Sequence, residues 1–492
     1  MSAKHFAELT ATLDLHVETA AVLTTSATTA ASTNAVALLG QALTWVPDGA
    51  YLERHGFGLS IASAGWVPAF RSAIKNDQVP VFIHTHPGGL AFFSSYDDDV
   101  DAALAAAARD LGASAYASVV VAGSSEAPAV VARACTFDSP QTDDRADNSL
   151  LVQFHEVEAV RVAGPTLRLM VPPEPHATDT GRSYGNDGGA GADDLEEVGA
   201  FDRQVRMLGA DGQRMLAATN VAIIGAGGTG SAVAVQLARI GVGSICLIDD
   251  DTVTPPTPTR GHGIRVADVG QPKVKVLGAH LRDIGLGTRI IDVQAPLHSA
   301  TAIEAIQHAD VVFSCVDGHG ARMILNRFAY AHLAVVVDLA VLVAVSATGV
   351  AVDERVTWIG PGAACLLCRG RLDAAQAYTE NLDPEARKRL AGEGYVQAAE
   401  TPQPAVVTLT TLVAALGASE FLLRFVGIGS DAATELLLRP HIGELRRNRL
   451  PQRPGCFCSD PPFLGRGQKE PYLDLMWPEP PLTHTAGKSD RG

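Results

Sequence analysis

The amino-acid sequence predicts an α/β protein built from two modules. Three observations lead there. Short Val/Ile/Phe runs alternate with Ala-rich helical patterns over the first third of the chain. A strand, a glycine turn, a helix and a second strand follow one another between Asn220 and Ile248, which is a βαβ unit of a parallel sheet. Between these regions lies a stretch, Pro172 to Asp194, rich in Pro, Gly, Asp and Ser, with no apolar period to support a core.

The chain has 492 residues, enough for two to four domains at roughly 100–200 residues each. Hydrophobic residues make up 47% and charged residues 19%, so sizeable cores are available and global disorder is excluded. The net charge of −16 argues against a nucleic-acid binder, which carries a basic patch. Met1 to Thr10 holds Lys4, His5 and Glu8 and no apolar core run, so it does not read as a secretory signal. The most apolar region, Phe328 to Val352, is interrupted by Asp338 and reads as two buried strands, not a membrane span. Seven cysteines, four of them in the tight pairs Cys365/Cys368 and Cys456/Cys458, suit a metal in a reducing compartment better than a disulfide framework. A cytoplasmic location is expected.

The expected organisation is a first module over 1–171, a flexible linker over 172–194, a second module over 195–458 and a proline-rich tail over 459–492. In the first module Val79–Ile83 and Ser118–Ala122 read as strands and Asp98–Leu111 as a helix. In the second, Phe201–Leu216 and Ser231–Ile240 read as helices, and Asn220–Ile224 and Ser244–Ile248 as strands.

The strand at Val79 runs into His84-Thr85-His86-Pro87, with Ser94 and Asp97 beyond. Side chains alternate along a strand, so His84 and His86 point the same way and can reach one metal. Asp97 adds an oxygen ligand and leaves a fourth position for water, the pattern of catalytic zinc. A nearby carboxylate is then needed to take the water's proton. The ordinary counterpart is a surface His-x-His beside a capping box, with Ser94 as helix N-cap. The spacing His-x-His-Pro, then Ser-x-x-Asp, resembles the signature of the JAB/MPN (JAMM) metalloprotease family over the first module. The resemblance implies a JAB/MPN α/β fold with His84, His86 and Asp97 as zinc ligands and Ser94 as support for an oxyanion. It also implies an early-strand glutamate as general base, which falls on Glu18, with Glu53 as the weaker rival. The ordinary reading of Glu18 is an exposed residue of an N-terminal helix. Members of this family cut peptide or isopeptide bonds after the tail of ubiquitin-like proteins.

In the second module the strand Asn220–Ile224 leads into Gly225-Ala226-Gly227-Gly228-Thr229-Gly230, and the next strand ends at Asp249. Glycines let the backbone approach a phosphate, the helix N-terminus favours negative charge, and the acidic residue suits a ribose. Alone this is a generic Rossmann signal, for which an NAD oxidoreductase is the default. Three features favour ATP. Arg260 and Lys273 are cations placed to neutralise a triphosphate. Asp317, after the strand Val311–Cys315, is a carboxylate suited to Mg²⁺. Cys365, Cys368, Cys456 and Cys458 suffice for a structural Cys₄ zinc site. Individually, Arg260 and Lys273 also fit surface cations, Asp317 a turn residue, and Cys246 and Cys315 core packing.

Together with Phe201-Asp202-Arg203-Gln204, Asp249-Asp250-Asp251 and Val269-Gly270-Gln271-Pro272-Lys273, these residues resemble the ThiF/MoeB/HesA family and the adenylating domains of ubiquitin-activating enzymes, over about Phe201 to Cys458. The resemblance implies a Rossmann-like, mostly parallel sheet with structural zinc. It implies that Gly225, Gly227, Gly228 and Gly230 shape the nucleotide loop and that Asp249 holds the ribose. Asp251 then lies near the phosphates, Arg260 and Lys273 contact them, Asp317 binds Mg²⁺, and Arg203 reaches into the partner subunit of a homodimer. The implied reaction is attack of a protein C-terminal carboxylate on the α-phosphate of ATP. Three departures stand out. The family has Asn near Thr257 and Gln at Gly261, so the loop Pro255–Gly261 is atypical. The last cysteine pair is Cys-x-Cys. No cysteine lies between Arg371 and Pro404, where a thioester-forming residue is expected. Unless Cys135 or a zinc cysteine serves, the reaction is expected to stop at the adenylate or to pass it directly to an acceptor.

The expected function is processing and activation of a bacterial ubiquitin-like protein, a small β-grasp protein trimmed by one head and adenylylated by the other. The linker would raise the effective concentration of a trimmed tail near the second site. Two alternatives are activation of a sulfur-carrier protein for thiocarboxylate formation, and a ubiquitin-like-protein binding module with one inactive head.

Overall fold

The structure is a computed structural model. It describes residues 1–29, 36–137, 152–170, 199–307, 309–347, 349–392, 404–427 and 433–467. The predicted linker, most of the tail and part of 371–404 lie outside the described residues.

The first module is a six-stranded sheet. Its centre is Val79–Pro87, antiparallel to Ala20–Thr29 on one side and parallel to Ala115–Gly123 on the other. Val36–Trp45 continues the sheet beyond Ala20–Thr29, and Pro128–Thr136 and His155–Glu156 continue it beyond Ala115–Gly123. Strands buried on both faces read as continuous apolar runs, and Val79 to Ile83 is buried at every position. Helices cover both faces: Phe6 and Leu9 of Ala3–Ala11 pack against Val81 and Ile83, while Phe70 of Val67–Lys75 and Leu104 of Ser95–Asp110 pack against Phe82.

The second module is an eight-stranded sheet. Five strands are parallel, in the spatial order Arg289–Val293, Ser244–Ile248, Asn220–Ile224, Val311–Ser314, Val335–Ser346. Gly349–Ile359, Glu435–Arg439 and Glu444–Asn448 extend it antiparallel. The chain leaves Asn220–Ile224 in one direction and returns on its other side with Val311–Ser314. This reversal of strand order opens a crevice at the carboxyl ends of the two strands, where ligands bind in such sheets. The helix Val407–Phe425 is long and apolar enough to cross a membrane by length and composition. Here it lies on the sheet, with Val413, Ala414, Phe421 and Phe425 in the core.

Two expectations are corrected. Asp338 does not divide two strands: Phe328 to Ala331 ends the helix His319–Ala331, and Asp338 sits inside the single strand Val335–Ser346, fully buried and paired to two arginines. Ion pairing lets a charge stand where hydropathy alone predicts a break. The helix expected over Phe201–Leu216 is kinked at Gly209, whose φ of 73° and ψ of 165° leave the helical region.

The hairpin Val160–Ala163/Leu167–Met170 belongs to both modules. Val162 packs with Phe6 and Leu9, whereas Ala163, Leu167 and Leu169 enter the core of the second sheet. Trp358 Nε1 donates to Gly164 O at 2.8 Å, Arg424 donates to Pro165 O at 2.8 Å, and Arg161 pairs with Asp310 at 3.0 Å. Burying Leu167 and Leu169 alone is worth about 1.5–3 kcal/mol each. On another side, Gln41 Nε2 donates to Gly465 O at 2.9 Å, so the chain beyond the last cysteine also ties into the first sheet. The two modules are docked by these contacts.

Candidate functional sites

The first site stands at the carboxyl end of Val79–Pro87. His84 is opposite Ala20 in the antiparallel register, and continuing that register sets Glu18 opposite His86. The amide of Thr85 donates to Thr19 O at 3.0 Å, which holds the two segments together there. Glu18 is buried in the segment just before the strand Ala20–Thr29, neither within that strand nor exposed on a helix, and Arg54 Nε donates to its carbonyl at 2.8 Å. Glu53 lines the same cavity but is exposed. Ser94 caps the helix Ser95–Asp110: its Oγ accepts from the Asp97 amide at 3.2 Å and the Asp97 carboxylate accepts from the Ser94 amide at 2.7 Å.

The capping box and the metal-ligand geometry coexist, because they use different atoms. Asp97 Oδ2 accepts from Ser94, while Oδ1 lies 3.1 Å from His84 Nε2. His84 Nε2 and His86 Nε2 are 3.1 Å apart, and Glu18 Oε1 is 3.9 Å from His86 Nε2. One ligand atom from each of His84, His86 and Asp97 falls within 4.8 Å of the others, so this donor set fits a single tetrahedral ion with room for a fourth ligand. The three converge on a cavity of about 440 Å³. Burial pushes the Glu18 carboxyl up to about 7, with Asp97 adding to the shift and His84 opposing it. Burial acts to raise Asp97 as well, but its bonds with His84 and Ser94 hold it below the carboxylate range. Burial and the neighbouring His84 lower His86.

Sequence reasoning missed Arg133. Its guanidinium bonds Asp98, Asp101 and the Asp97 carbonyl (3.1 Å) and lies 3.8 Å from the Phe93 ring centroid. It braces the turn that carries Asp97. Nothing in the spacing between 97 and 133 signals this, since the pairing depends on how Pro128–Thr136 packs beside the helix.

The second site lies at the reversal of strand order. Gly225 has φ of 92°, and a Cβ there would sit 2.7 Å from Cys315 O. A Cβ at Gly230 would sit 1.8 Å from Gly225 O, so only glycine lets this helix turn close on the loop. Gly227 faces open space, leaving its backbone accessible. The Ala226 amide donates to Asp249 Oδ2 at 2.6 Å. Lys273 Nζ lies 3.7 Å from Asp249 Oδ1 and 2.5 Å from Asp251 Oδ2. Burial raises the Asp249 carboxyl, with Lys273 and the backbone donors opposing. Arg260 packs over Gly228 at the helix N-terminus, its Cβ and Cδ 3.4 Å from where a Gly228 Cβ would be. The structure thus gathers the glycines, Asp249, Asp251, Arg260 and Lys273 around one crevice. Asp317 is exposed in the turn after Val311–Ser314, and Arg203 is exposed in the first turn of Asp202–Ala217. Asp317, at the carboxyl end of its strand, fits a Mg²⁺ ion beside phosphates.

The atypical loop is ordered by its own contacts. Thr257 is buried, and its Oγ1 accepts from the Thr254 amide at 3.0 Å. A side chain at Gly261 would begin 2.7 Å from Ile264 Cδ1. His262, also missed in the sequence, accepts the place instead: its amide donates to Ser231 Oγ at 2.9 Å and its Nε2 is 2.8 Å from Thr411 Oγ1.

The four paired cysteines converge behind the second sheet. Cys365 and Cys456 sulfurs are 3.6 Å apart, as are those of Cys368 and Cys458. Amides of Cys368 and Arg453 donate to Cys365 and Cys368 Sγ at 3.4 and 3.3 Å. Bonding from Cys458 pulls the Cys365 thiol down to about 5. Four thiols within 4.8 Å of one another fit a tetrahedral Cys₄ metal site despite the Cys-x-Cys spacing. Cys135, Cys246 and Cys315 are inside the protein, and burial pushes the first two up to about 11 and about 12 and the third higher still.

The ThiF family model matches residues 201–458, more than half of the chain and the whole of the second module from its first helix to the last cysteine. The chain belongs to the ThiF family. Among ThiF-related proteins it is similar to the molybdopterin-synthase adenylyltransferase of Escherichia coli, with 28% identity over 266 residues, 53% of this chain and 96% of that protein. It is 32% identical over 128 residues to the sulfur carrier protein ThiS adenylyltransferase of E. coli, covering 26% of this chain and 51% of that one. It is 35% identical over 135 residues to the adenylyltransferase and sulfurtransferase MOCS3 of Bos taurus, covering 27% of this chain and 29% of that one. The chain thus spans about half of the ThiS adenylyltransferase and less than a third of MOCS3. Among solved structures it is similar to E. coli MccB with ATP, at 18% identity and a TM-score of 0.41, over 52% of this chain and 73% of that one.

Proposed function

We propose that this ThiF-family protein is an ATP-dependent adenylyltransferase that activates the C-terminal carboxylate of a small β-grasp protein, fused to a zinc-dependent hydrolase acting on the same tail. For the ATP head, the observation that carries the reading is the Ala226–Asp249–Lys273 cluster beside the open Gly227 backbone at the strand-order reversal. Asp249 is set to take the ribose and Lys273 and Arg260 to neutralise phosphates. Asp317 would hold Mg²⁺, and Arg203 would come from the partner subunit of a homodimer. The carboxylate attacks the α-phosphate, forming an acyl-phosphate bond and releasing pyrophosphate. Orientation and charge neutralisation supply the acceleration.

For the hydrolase head, the convergence of His84, His86 and Asp97 beside Glu18 carries the reading. His84, His86 and Asp97 would hold a zinc ion, which would supply Lewis acidity and an activated water near neutral pH. Glu18 takes and returns the proton, its raised affinity suiting work near pH 7. Ser94 Oγ donates to Asp97 Oδ2 at 2.7 Å and must turn from it to support an oxyanion. A structural zinc at Cys365, Cys368, Cys456 and Cys458 fits the thiol cluster.

A second reading, activation of a sulfur-carrier protein, is favoured by one observation. Cys135, Cys246 and Cys315 are inside the protein with thiols held protonated, and the other four sit in the cluster. Direct transfer from the adenylate to a sulfur donor needs none of them.

Intact-mass spectrometry of β-grasp proteins incubated with the enzyme, zinc and Mg²⁺ tests both heads. Loss of tail residues without ATP and an AMP adduct with ATP are expected. Absence of any adduct across candidates, with pyrophosphate release also absent, would remove the adenylylation reading.

A further inference from the structure

We infer that Asp338 and Arg322 form a positioning pair that sets the turn Cys315–Asp317, and with it the Mg²⁺-binding carboxylate of the adenylylation site. The inference rests on the ATP reading of that site. Asp338 is fully buried in a run of valines and leucines, where a charge is costly and an apolar residue would pack as well. What surrounds it explains its presence. Asp338 Oδ1 accepts from Ser314 Oγ at 2.9 Å and from Arg322 Nε at 3.1 Å, and Oδ2 accepts from Arg355 at 3.0 Å. Ser314 pairs with Asp338 across the parallel register and is the last residue of its strand before the turn.

Arg322 joins Asp338 to the turn. While its Nε faces Asp338, its two terminal nitrogens donate to Val316 O at 2.6 Å and to Asp317 O at 3.2 Å, and one also reaches Leu339 O at 3.4 Å. A guanidinium is planar and presents five donors in a fixed fork, so anchoring one edge on Asp338 fixes where the other edge holds the carbonyls. A lysine keeps the charge opposite Asp338 but cannot bridge both. The same turn supports the nucleotide loop: the Cys315 amide donates to Ile224 O at 2.9 Å, and Cys315 O is the atom that a Cβ at Gly225 would strike. The Asp317 carboxylate is exposed, so its reach into the crevice is set by the backbone behind it. Arg355, on the far oxygen of Asp338, balances the second half of the charge and fixes the carboxylate's rotation.

The test uses the full chain with Arg322→Lys and, separately, Asp338→Asn. Mn²⁺ binding is titrated by electron paramagnetic resonance in the presence of saturating α,β-methylene ATP, and binding of the analogue alone is measured in chelator by calorimetry. Arg322→Lys is expected to weaken Mn²⁺ binding by about tenfold or more while leaving metal-free analogue binding little changed. Asp338→Asn is expected to act in the same direction. Thermal melts check folding, and if Asp338→Asn does not fold, Arg322→Lys decides alone. Mn²⁺ binding by Arg322→Lys equal to that of the parent protein overturns the inference. If the parent protein binds neither the analogue nor Mn²⁺ with it, the ATP reading itself falls.

Discussion

The amide of Ala226 donates to Asp249 Oδ2 at 2.6 Å, closing the glycine turn onto the end of the neighbouring strand. Asp249 Oδ1 meanwhile accepts from the Asp251 amide at 2.8 Å. One carboxylate therefore shapes both walls of the crevice before any nucleotide arrives. Asp249→Ala is expected to lower affinity for α,β-methylene ATP by roughly 10- to 100-fold, since charged hydrogen bonds are worth about 1.5–3 kcal/mol. Titration calorimetry checks it, and unchanged affinity would displace Asp249 from the site.

Glu18→Gln separates binding from chemistry in the first head. The amide cannot take a proton, so cleavage is expected to fall by about 10²–10⁴-fold. Zinc content, by contrast, should stay near one ion per chain in excess of the cysteine site, because Glu18 is not among the converging ligand atoms. Metal analysis with intact-mass assays of the tail reads both quantities. Loss of the ion together with activity would make Glu18 a ligand.

Glu354 gives a pH signature. It is fully buried, neither carboxylate oxygen has a hydrogen-bond partner among the described residues, and burial pushes its carboxyl up to about 7. The unfolded chain releases this proton near pH 4.3, the ordinary glutamate value. Between there and about 7 the folded state holds more protons than the unfolded one, so stability falls as pH rises through that window. Glu354→Gln stays neutral and removes the penalty. It is expected to be more stable than the parent at pH 8, by roughly 3–4 kcal/mol, with the advantage shrinking towards pH 5. An equal difference at both pH values would mean the carboxylate is not the cause.

The modules are expected to stay together when the chain is cut between 172 and 194. The hairpin Val160–Met170 places Leu167 and Leu169 in the core of the second sheet, and Trp358 and Arg424 hold its turn. A specific protease site introduced in that stretch should yield two fragments that co-elute on gel filtration. Separate elution would show that the covalent link, not the interface, holds the heads together.

On the proposal that the cysteine cluster holds zinc, stripping that metal should loosen the strap beyond it. Cys456 and Cys458 lead directly to Gly465, which accepts from Gln41 at the edge of the first sheet. A strong chelator is expected to lower the melting temperature and to speed hydrogen exchange in Val36–Trp45, followed by mass spectrometry. Unchanged exchange there would confine the cluster's influence to the second module.

Much of this protein was legible along the chain because the relevant physics is local. The alternation of side chains along a strand aligned His84 with His86. Capping chemistry fixed Ser94 and Asp97 at a helix start. The glycine turn between Asn220–Ile224 and Gly228–Ile240 needs residues that only a tight phosphate-type loop explains. The cysteine pairs announced a cluster before their distances were known. Tertiary structure decided what depends on neighbours distant in sequence. Only the antiparallel register of Ala20–Thr29 against Val79–Pro87 shows that Glu18 faces His86 and is buried. Only packing reveals Arg133 behind Asp97 and Arg322 behind Asp317, because a brace acts through space and leaves no spacing rule. Asp338 looked like a break between strands, since hydropathy counts a charge without seeing the two arginines that neutralise it. The hairpin Val160–Met170 looked like the end of one module, yet its apolar side chains complete the core of the other, and which core an apolar residue joins is set by the fold alone.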